Sequence, residues 1–345
     1  MAVEAASRDI LDAFWKRGRE FLGTRYAILG GAMSWVSEHH LVSAISNAGG
    51  FGVIASGAMP ADLLDKEIAA TRELTSENFG VNLITMHPQL DSLIDVCIER
   101  KITHAILAGG IPTGQSIKRL KDAGIKVMCF APALVLAKKM VRAGADALII
   151  EGTEAGGHIG PVATNILVQE IIPHITEVPV FVAGGIGSGS MMAAFLEMGA
   201  SGCQLGTRFV CATECIAHPN FKKAFINANA RDAVPAVQMD ARFPVIPVRA
   251  IANEGTRRFM AFQLETIEKY RRGEIELKDA QMAIEHFWGG ALRRAVIEGD
   301  VENGSLMAGQ SVGLVKDERP TQDIIDTLVN EAADALRKTR SVLSD

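Results

Sequence analysis

Residues 151–160 (E-G-T-E-A-G-G-H-I-G) gather two carboxylates, Glu151 and Glu154, and one histidine, His158, among four glycines. A histidine near its reference pKa gives or takes a proton at neutral pH, and small neighbours leave it reachable by a substrate. The competing reading is a histidine that only hydrogen-bonds its own loop; the glycine setting favours the chemical role. A second group, residues 184–190 (G-G-I-G-S-G-S), follows an apolar run and opens a helix. Its spacing does not give G-x-G-x-x-G, and no acidic residue follows a second strand about twenty residues on, so dinucleotide binding of the Rossmann type is not expected. Its amides, with those of Gly206 and Thr207, can instead cradle one phosphate. The other histidines read as structural or superficial: His39 and His40 begin a surface helix, His87 and His218 precede prolines in loops, and His104, His174 and His286 belong to the scaffold.

These groups need a frame. Short apolar runs at 26–29, 52–55, 79–83, 104–107, 126–130, 147–150, 180–183 and 202–205 recur with helix-like segments between them. Eight such strand-helix units predict a (β/α)₈ TIM barrel, an α/β fold with a parallel sheet, joined to a second, smaller helical domain. Gly49, Gly124, Gly144 and Gly199 each stand where a helix ends before the next strand, the place for a left-handed C′ residue. The chemistry of a barrel gathers at the C-terminal ends of its strands. Those ends read Gly30-Gly31, Ser56-Gly57, Asn82, Ala108-Gly109-Gly110, Ala131-Pro132, Glu151-Gly152, Gly184-Gly185 and Gly206-Thr207. The expected division is a barrel over 1–216, a helical lid over 217–300 without buried strands, and a segment over 301–345 that returns to the barrel.

Composition narrows the class. Of 345 residues, 48% are hydrophobic and 22% charged, enough to bury a large core. The net charge of −5 gives no footprint for a nucleic-acid backbone. No run of eighteen apolar residues suggests a membrane span, and the first nineteen residues, with Glu4, Asp9 and Asp12, lack a signal-peptide core, so a cytoplasmic location is expected. Five cysteines without a C-x-x-C argue against zinc or a disulfide framework, and no metal is expected. Cys129 and Cys203 read as core residues, and Cys211 and Cys215 as neighbours on one helix face.

Several segments carry a resemblance: G-G-A-M-S-W-V-S from Gly30, A-G-G-F-G-V-I-A from Ala48, F-G-V-N-L from Phe79, the 151–160 segment, V-A-G-G-I from Val182 and Q-L-G-T-R-F from Gln204. In this order, over residues 22–315, the chain resembles the FMN-dependent nitronate monooxygenases (2-nitropropane dioxygenases) and the FMN-type enoyl-[acyl-carrier-protein] reductases. The resemblance implies FMN across the barrel mouth, with its phosphate near Gly185, Gly206 and Thr207. Its ring and flanks would meet Ala32, Met33, Asn82, Ala108, Glu151, Gly156, Gly157, Ala183, Gly184 and Gln204. It implies His158 as the catalytic residue and Trp35, Met307 and Gln310 as substrate contacts. Residues 299–310 (G-D-V-E-N-G-S-L-M-A-G-Q) look more like the enoyl reductases, which implies NAD(P)H as co-substrate and acyl carrier protein as a possible partner in fatty acid synthesis. The alternatives are nitronate oxidation with O₂ and, in another class, a flavin-binding scaffold without catalysis. A homodimer is the default for such barrels.

Overall fold

The structure, a computed structural model, describes residues 9–236 and 247–344; Glu4 and the side chain of His286 lie outside what is described. The first half alternates strand and helix: α1 (Lys16–Leu22), β1 (Ile28–Gly30), α2 (His39–Asn47), β2 (Gly52–Ala55), α3 (Ala61–Leu74), β3 (Phe79–Ile84), α4 (Leu90–Glu99), β4 (His104–Ala108), α5 (Gly114–Asp122), β5 (Lys126–Phe130), α6 (Leu134–Arg142) and β6 (Ala147–Glu151). A two-residue strand β7 (Gly157–His158) interrupts before α7 (Thr164–Ile171), β8 (Val180–Ala183), α8 (Gly189–Glu197) and β9 (Gly202–Leu205). Then come α9 (Pro219–Asn227), β10 (Ala233–Pro235), β11 (Val248–Ile251), α10 (Glu254–Arg271), α11 (Leu277–Arg293) and α12 (Thr321–Ser344).

Eight strands form one parallel sheet in the order β1-β9-β8-β6-β5-β4-β3-β2. Its two edges meet: Leu29 bridges Phe51, the Phe51 amide donates to Ile28 O at 2.8 Å, and the Gly30 amide donates to Phe51 O at 2.9 Å. The sheet is therefore a closed barrel of (β/α)₈ type, with no free edge to protect. Its strands are almost entirely buried because helices cover the outside and side chains fill the inside. Gly49, Gly124, Gly144 and Gly199 all take positive φ, from +79° to +101°, as helix-ending residues should.

Aromatic packing shows which side chains point inward. The His104 ring packs edge-on against Phe51 at 4.9 Å and against Phe21 of α1 at 5.1 Å, and Phe21 meets Phe181 at 6.1 Å. A Cβ on Gly80 would meet Ile106 at 2.8 Å and Phe51 at 2.9 Å. His104 is thus part of the barrel floor, its Nε2 2.9 Å from Phe21 O, and burial pushes its pKa down to about 4. All five cysteines are buried, and burial pushes their thiols up to about 11 or 12. Cys211 closes a short 3₁₀ turn and Cys215 lies beyond it, so the two do not share a helix face as the spacing had suggested.

The region after β9 differs from the expected all-helical lobe. Strand β11 is wholly buried and pairs antiparallel with β10 on one side and β7 on the other. Helices α10 and α11 pack over it around a small core of Val248, Phe259, Ile267, Ala280 and Ile284. Asn253 starts α10, accepting from the Thr256 amide at 2.9 Å in a reciprocal capping box. The C-terminal segment comes back to the barrel. Arg208 binds Asp317 at 3.0 Å, the buried Lys222 binds Glu318 at 2.7 Å, and Glu331 of α12 accepts from the Gly189 amide at 2.8 Å.

Candidate active site

Parallel register places five of the anticipated residues on the inward face near the C-terminal ends of the strands. Gln204 pairs with Ala183, and Ala183 with Glu151. On the other wall Asn82 lies two residues beyond inward-facing Gly80, and Ala108 two beyond inward-facing Ile106, so both share that face by the period of two. Asn82 is buried; its Nδ2 donates to Ile106 O at 3.4 Å and its backbone carbonyl accepts from the Ser56 hydroxyl.

Two carboxylates of the 151–160 segment have separate fates. Glu154 accepts from the Thr164 amide at 2.9 Å and its hydroxyl at 2.8 Å, stapling the loop to the start of α7. Glu151 has no hydrogen-bond or ion-pair partner among the described residues, and burial raises its pKa to about 8. At neutral pH it is therefore largely a neutral acid, a donor rather than a negative charge.

The glycine loops form a cradle. Gly184 and Gly185 have φ of +94° and +72°, and a Cβ on Gly185 would stand 3.0 Å from that of Glu154. Gly31 approaches Gly206 so closely that its Cβ would meet the Gly206 Cα at 3.2 Å. The amides of Gly185, Ile186, Gly206 and Thr207 find no acceptor among the described residues. Unpaired backbone donors beside bare glycines suit an anion such as a phosphate group. The Thr207 hydroxyl accepts from the Gly309 amide at 2.9 Å, so it ties the cradle to the returning segment.

His158 is exposed and held on β7, opposite Val248 of β11, while Gly157 pairs with Arg249. Met307 bridges to Ala250 of β11, and its Sδ lies 3.6 Å from where a Gly157 Cβ would be, so Met307 stands beside the His158 strand. Gly156 packs on the backbone of Ala308 and Gly309, and the Gln310 amide donates to Glu154 O at 2.9 Å. On the opposite rim, Met33 and Trp35 lie in the loop after β1, where the Ser37 hydroxyl accepts from the Met33 amide at 3.0 Å and donates to Gly31 O at 2.8 Å. Ala32 lies between Gly31 and Met33 in that loop. Trp35 takes the left-handed conformation, φ +68°, and Arg293 of α11 lies 5.8 Å from its ring centre. A cavity of about 350 Å³ lined by Arg72, Thr75, Phe79 and Ile102 lies at the opposite, N-terminal end of the strands, away from all of these groups.

Arg249 escaped the sequence reading. It is 5% exposed, with Nε donating to Thr153 O at 2.9 Å and Nη1 to Ala233 O at 2.7 Å. Burial lowers its pKa, while Glu154 nearby opposes that shift. One guanidinium thereby locks the loop of His158 to the lobe. The signal available was a single charge inside the β-branched run V-I-P-V-R-A-I at 245–251.

Against this geometry, the profile of the nitronate monooxygenase family matches residues 16–93 and 89–331. The chain belongs to the nitronate monooxygenase family. It is an oxidoreductase of a family of FMN-type enzymes. Among solved structures, it is 38% identical to FabK from Thermotoga maritima, with a TM-score of 0.86 over 94% of this chain and 98% of that one. It is 26% identical to a nitroalkane oxidase from Streptomyces ansochromogenes, TM-score 0.77, over 93% and 98% of the two chains. A relative in Rhodococcus jostii, (3aS,4S,5R,7aS)-5-hydroxy-7a-methyl-1-oxo-octahydro-1H-indene-4-carboxyl-CoA dehydrogenase, is 30% identical over 92% of this chain and 95% of its own. No helix among the described residues is long and apolar enough to cross a membrane.

Proposed function

We propose that this chain holds FMN in the barrel mouth and reduces the double bond of enoyl thioesters at the expense of NAD(P)H. The observation that carries this reading is the likeness to FabK, which stands on the enoyl reductase side of the family and spans nearly the whole chain. The Rhodococcus relative, whose printed substrate is a CoA thioester, supports the same substrate class.

When bound, FMN supplies hydride exchange in two-electron steps. Gly184, Gly185, Gly206 and Thr207 would hold its phosphate through backbone amides. Asn82, Ala108, Glu151, Ala183 and Gln204 would line the ring, with Ala32, Met33, Gly156 and Gly157 at its edges. Glu151, kept neutral, would donate a hydrogen bond where an ionised carboxylate would repel an electron-rich ring. His158 would orient the thioester carbonyl or deliver the proton to the α-carbon. Trp35, Met307 and Gln310 would bracket the acyl chain, and residues 217–300 would act as the lid over the 1–216 barrel, with 301–345 as the returning segment. An acyl carrier protein or coenzyme A would present the thioester at the rim.

A second reading is oxidation of nitronates with O₂, favoured by the family profile and by the likeness to a nitroalkane oxidase. There His158 would serve as base for a neutral nitroalkane or as a positive partner for its anion. The test is anaerobic mixing of the purified yellow protein with NADH or NADPH, then with crotonyl-CoA. Bleaching by the nicotinamide and recolouring by the thioester are expected. Absence of bleaching together with oxygen uptake on propionate nitronate overturns the reductase reading in favour of the second.

A further inference from the structure

Beside the barrel, Glu38, His39 and His40 open α2, and Glu67 reaches them from α3. Glu38 Oε2 lies 3.0 Å from His39 Nδ1 and 2.9 Å from His40 Nδ1. Glu67 Oε2 lies 2.8 Å from the same His39 nitrogen. The two imidazoles lie side by side, tilted by 38°, with centres 4.1 Å apart. The carboxylates are largely buried, with side-chain exposures of 9% and 15%, whereas the imidazoles, at 27% and 52%, remain open to solvent. Among the described residues, this is the group in which three neighbouring metal-ligating side chains bring their ligand atoms within 4.8 Å of one another.

Helix capping explains only part of the arrangement. Glu38 accepts from the amides of His40 and Leu41 at 3.2 and 3.3 Å, which satisfies the first turn of α2. That role needs the carboxylate alone. It gives no reason for two half-open imidazoles to turn the same ring atom onto one carboxylate oxygen; Glu67, coming from another helix, accepts from the His39 amide at 3.1 Å and meets the His39 ring nitrogen with the same oxygen.

We propose that Glu38, His39, His40 and Glu67 bind one divalent transition-metal ion of the zinc class. Two imidazole nitrogens and two carboxylate oxygens form the mixed donor set such ions take, and two of four donors being nitrogen disfavours calcium and magnesium. Two carboxylates balance the ion's charge. With bonds of about 2.0–2.1 Å a tetrahedral shell has ligand-to-ligand edges near 3.3 Å; the gaps from Glu38 to the two imidazoles and from Glu67 to His39 need widen only by a few tenths of an ångström, and Glu67 would complete the shell by swinging in toward the Glu38–His39–His40 group. Each imidazole binds through Nδ1 and keeps its ring proton on Nε2. The ion would clip α2 to α3 and fix the exit of residues 31–37, the loop carrying Met33 and Trp35.

The test is calorimetric titration of chelator-treated, flavin-loaded protein with ZnCl₂, repeated with Co²⁺ while following its visible absorption. One ion per chain is expected, with the strong Co²⁺ bands of a tetrahedral site and a higher melting temperature in zinc. His39→Ala and His40→Ala should each weaken binding at least tenfold, and His158→Ala should leave it unchanged. Glu67→Gln keeps the shape and an acceptor for His39 while removing one charge; it should also bind at least tenfold more weakly, with far-UV circular dichroism and flavin content unaltered. No saturable binding, wild-type affinity in the His39→Ala and His40→Ala variants, or loss of binding in His158→Ala overturns the proposal.

Discussion

Glu151 and Glu154 stand three residues apart and do different work. Glu154 is spent on the Thr164 amide and hydroxyl, whereas Glu151 meets no partner and titrates near 8. The folded chain holds a proton on Glu151 that the unfolded chain, with an ordinary value of 4.5, gives up. Its contribution to stability is therefore fully present below about pH 4.5 and is lost as the pH rises through about 8. Glu151→Gln cannot titrate, so urea midpoints of wild type and variant should diverge between pH 5 and 9, with wild type losing ground; parallel curves would contradict the burial argument. For His158, replacement by alanine should lower turnover by about 10²–10⁴ while flavin content per chain stays constant, because the cradle is made of other residues. Equal loss of flavin and turnover would make His158 a structural residue. The sequence showed His158 and both carboxylates as one group; that only one carboxylate is unpartnered depends on α7 being in place, which no local spacing reveals.

At the scale of elements, the barrel strands were legible because buried parallel strands read as unbroken apolar runs, and four of the intervening helices announce their ends with Gly49, Gly124, Gly144 and Gly199. Strand β7 was not legible: Gly157 and His158 have little strand preference and become one only through β11, far along the chain. Strand β11 was hidden for a related reason, since Pro244, Pro247 and Arg249 break the run that would have marked it. Arg249 is the residue that makes the pairing consequential. Arg249→Met should leave the carbonyls of Thr153 and Ala233 unsatisfied, costing on the order of 2–3 kcal/mol, and should reduce turnover through misplacement of His158. Chemical denaturation together with kinetics checks this, and an unchanged kcat would show that the loop holds itself. Gly185→Ala, at φ +72° and against Glu154, should cost about 1–2 kcal/mol and weaken flavin retention; equal FMN affinity by fluorescence titration would remove this loop from the cradle.

Over the whole molecule, the lobe carries adjacent arginines at 257–258, 271–272 and 293–294, and acidic neighbours neutralise much of that charge. Arg257 and Arg258 pair with Glu254 at 2.7 and 3.6 Å, and Arg272 with Glu268 at 2.9 Å. A face of paired charges steers an acidic partner weakly. Arg257→Glu with Arg272→Glu should therefore change kcat/KM for a carrier-bound crotonyl thioester less than about threefold; a tenfold loss would place carrier docking on this face. The lobe matters instead through Met307, which touches both hydrophobic cores and the His158 strand. The most direct measurement of the central claim is anaerobic single-turnover absorbance of wild type and His158→Ala. Both proteins should bleach with NAD(P)H at similar rates, and crotonyl-CoA should restore the colour at least a hundredfold more slowly in the variant. Failure of crotonyl-CoA to recolour the wild type, or equal recolouring in both proteins, would contradict the assignment.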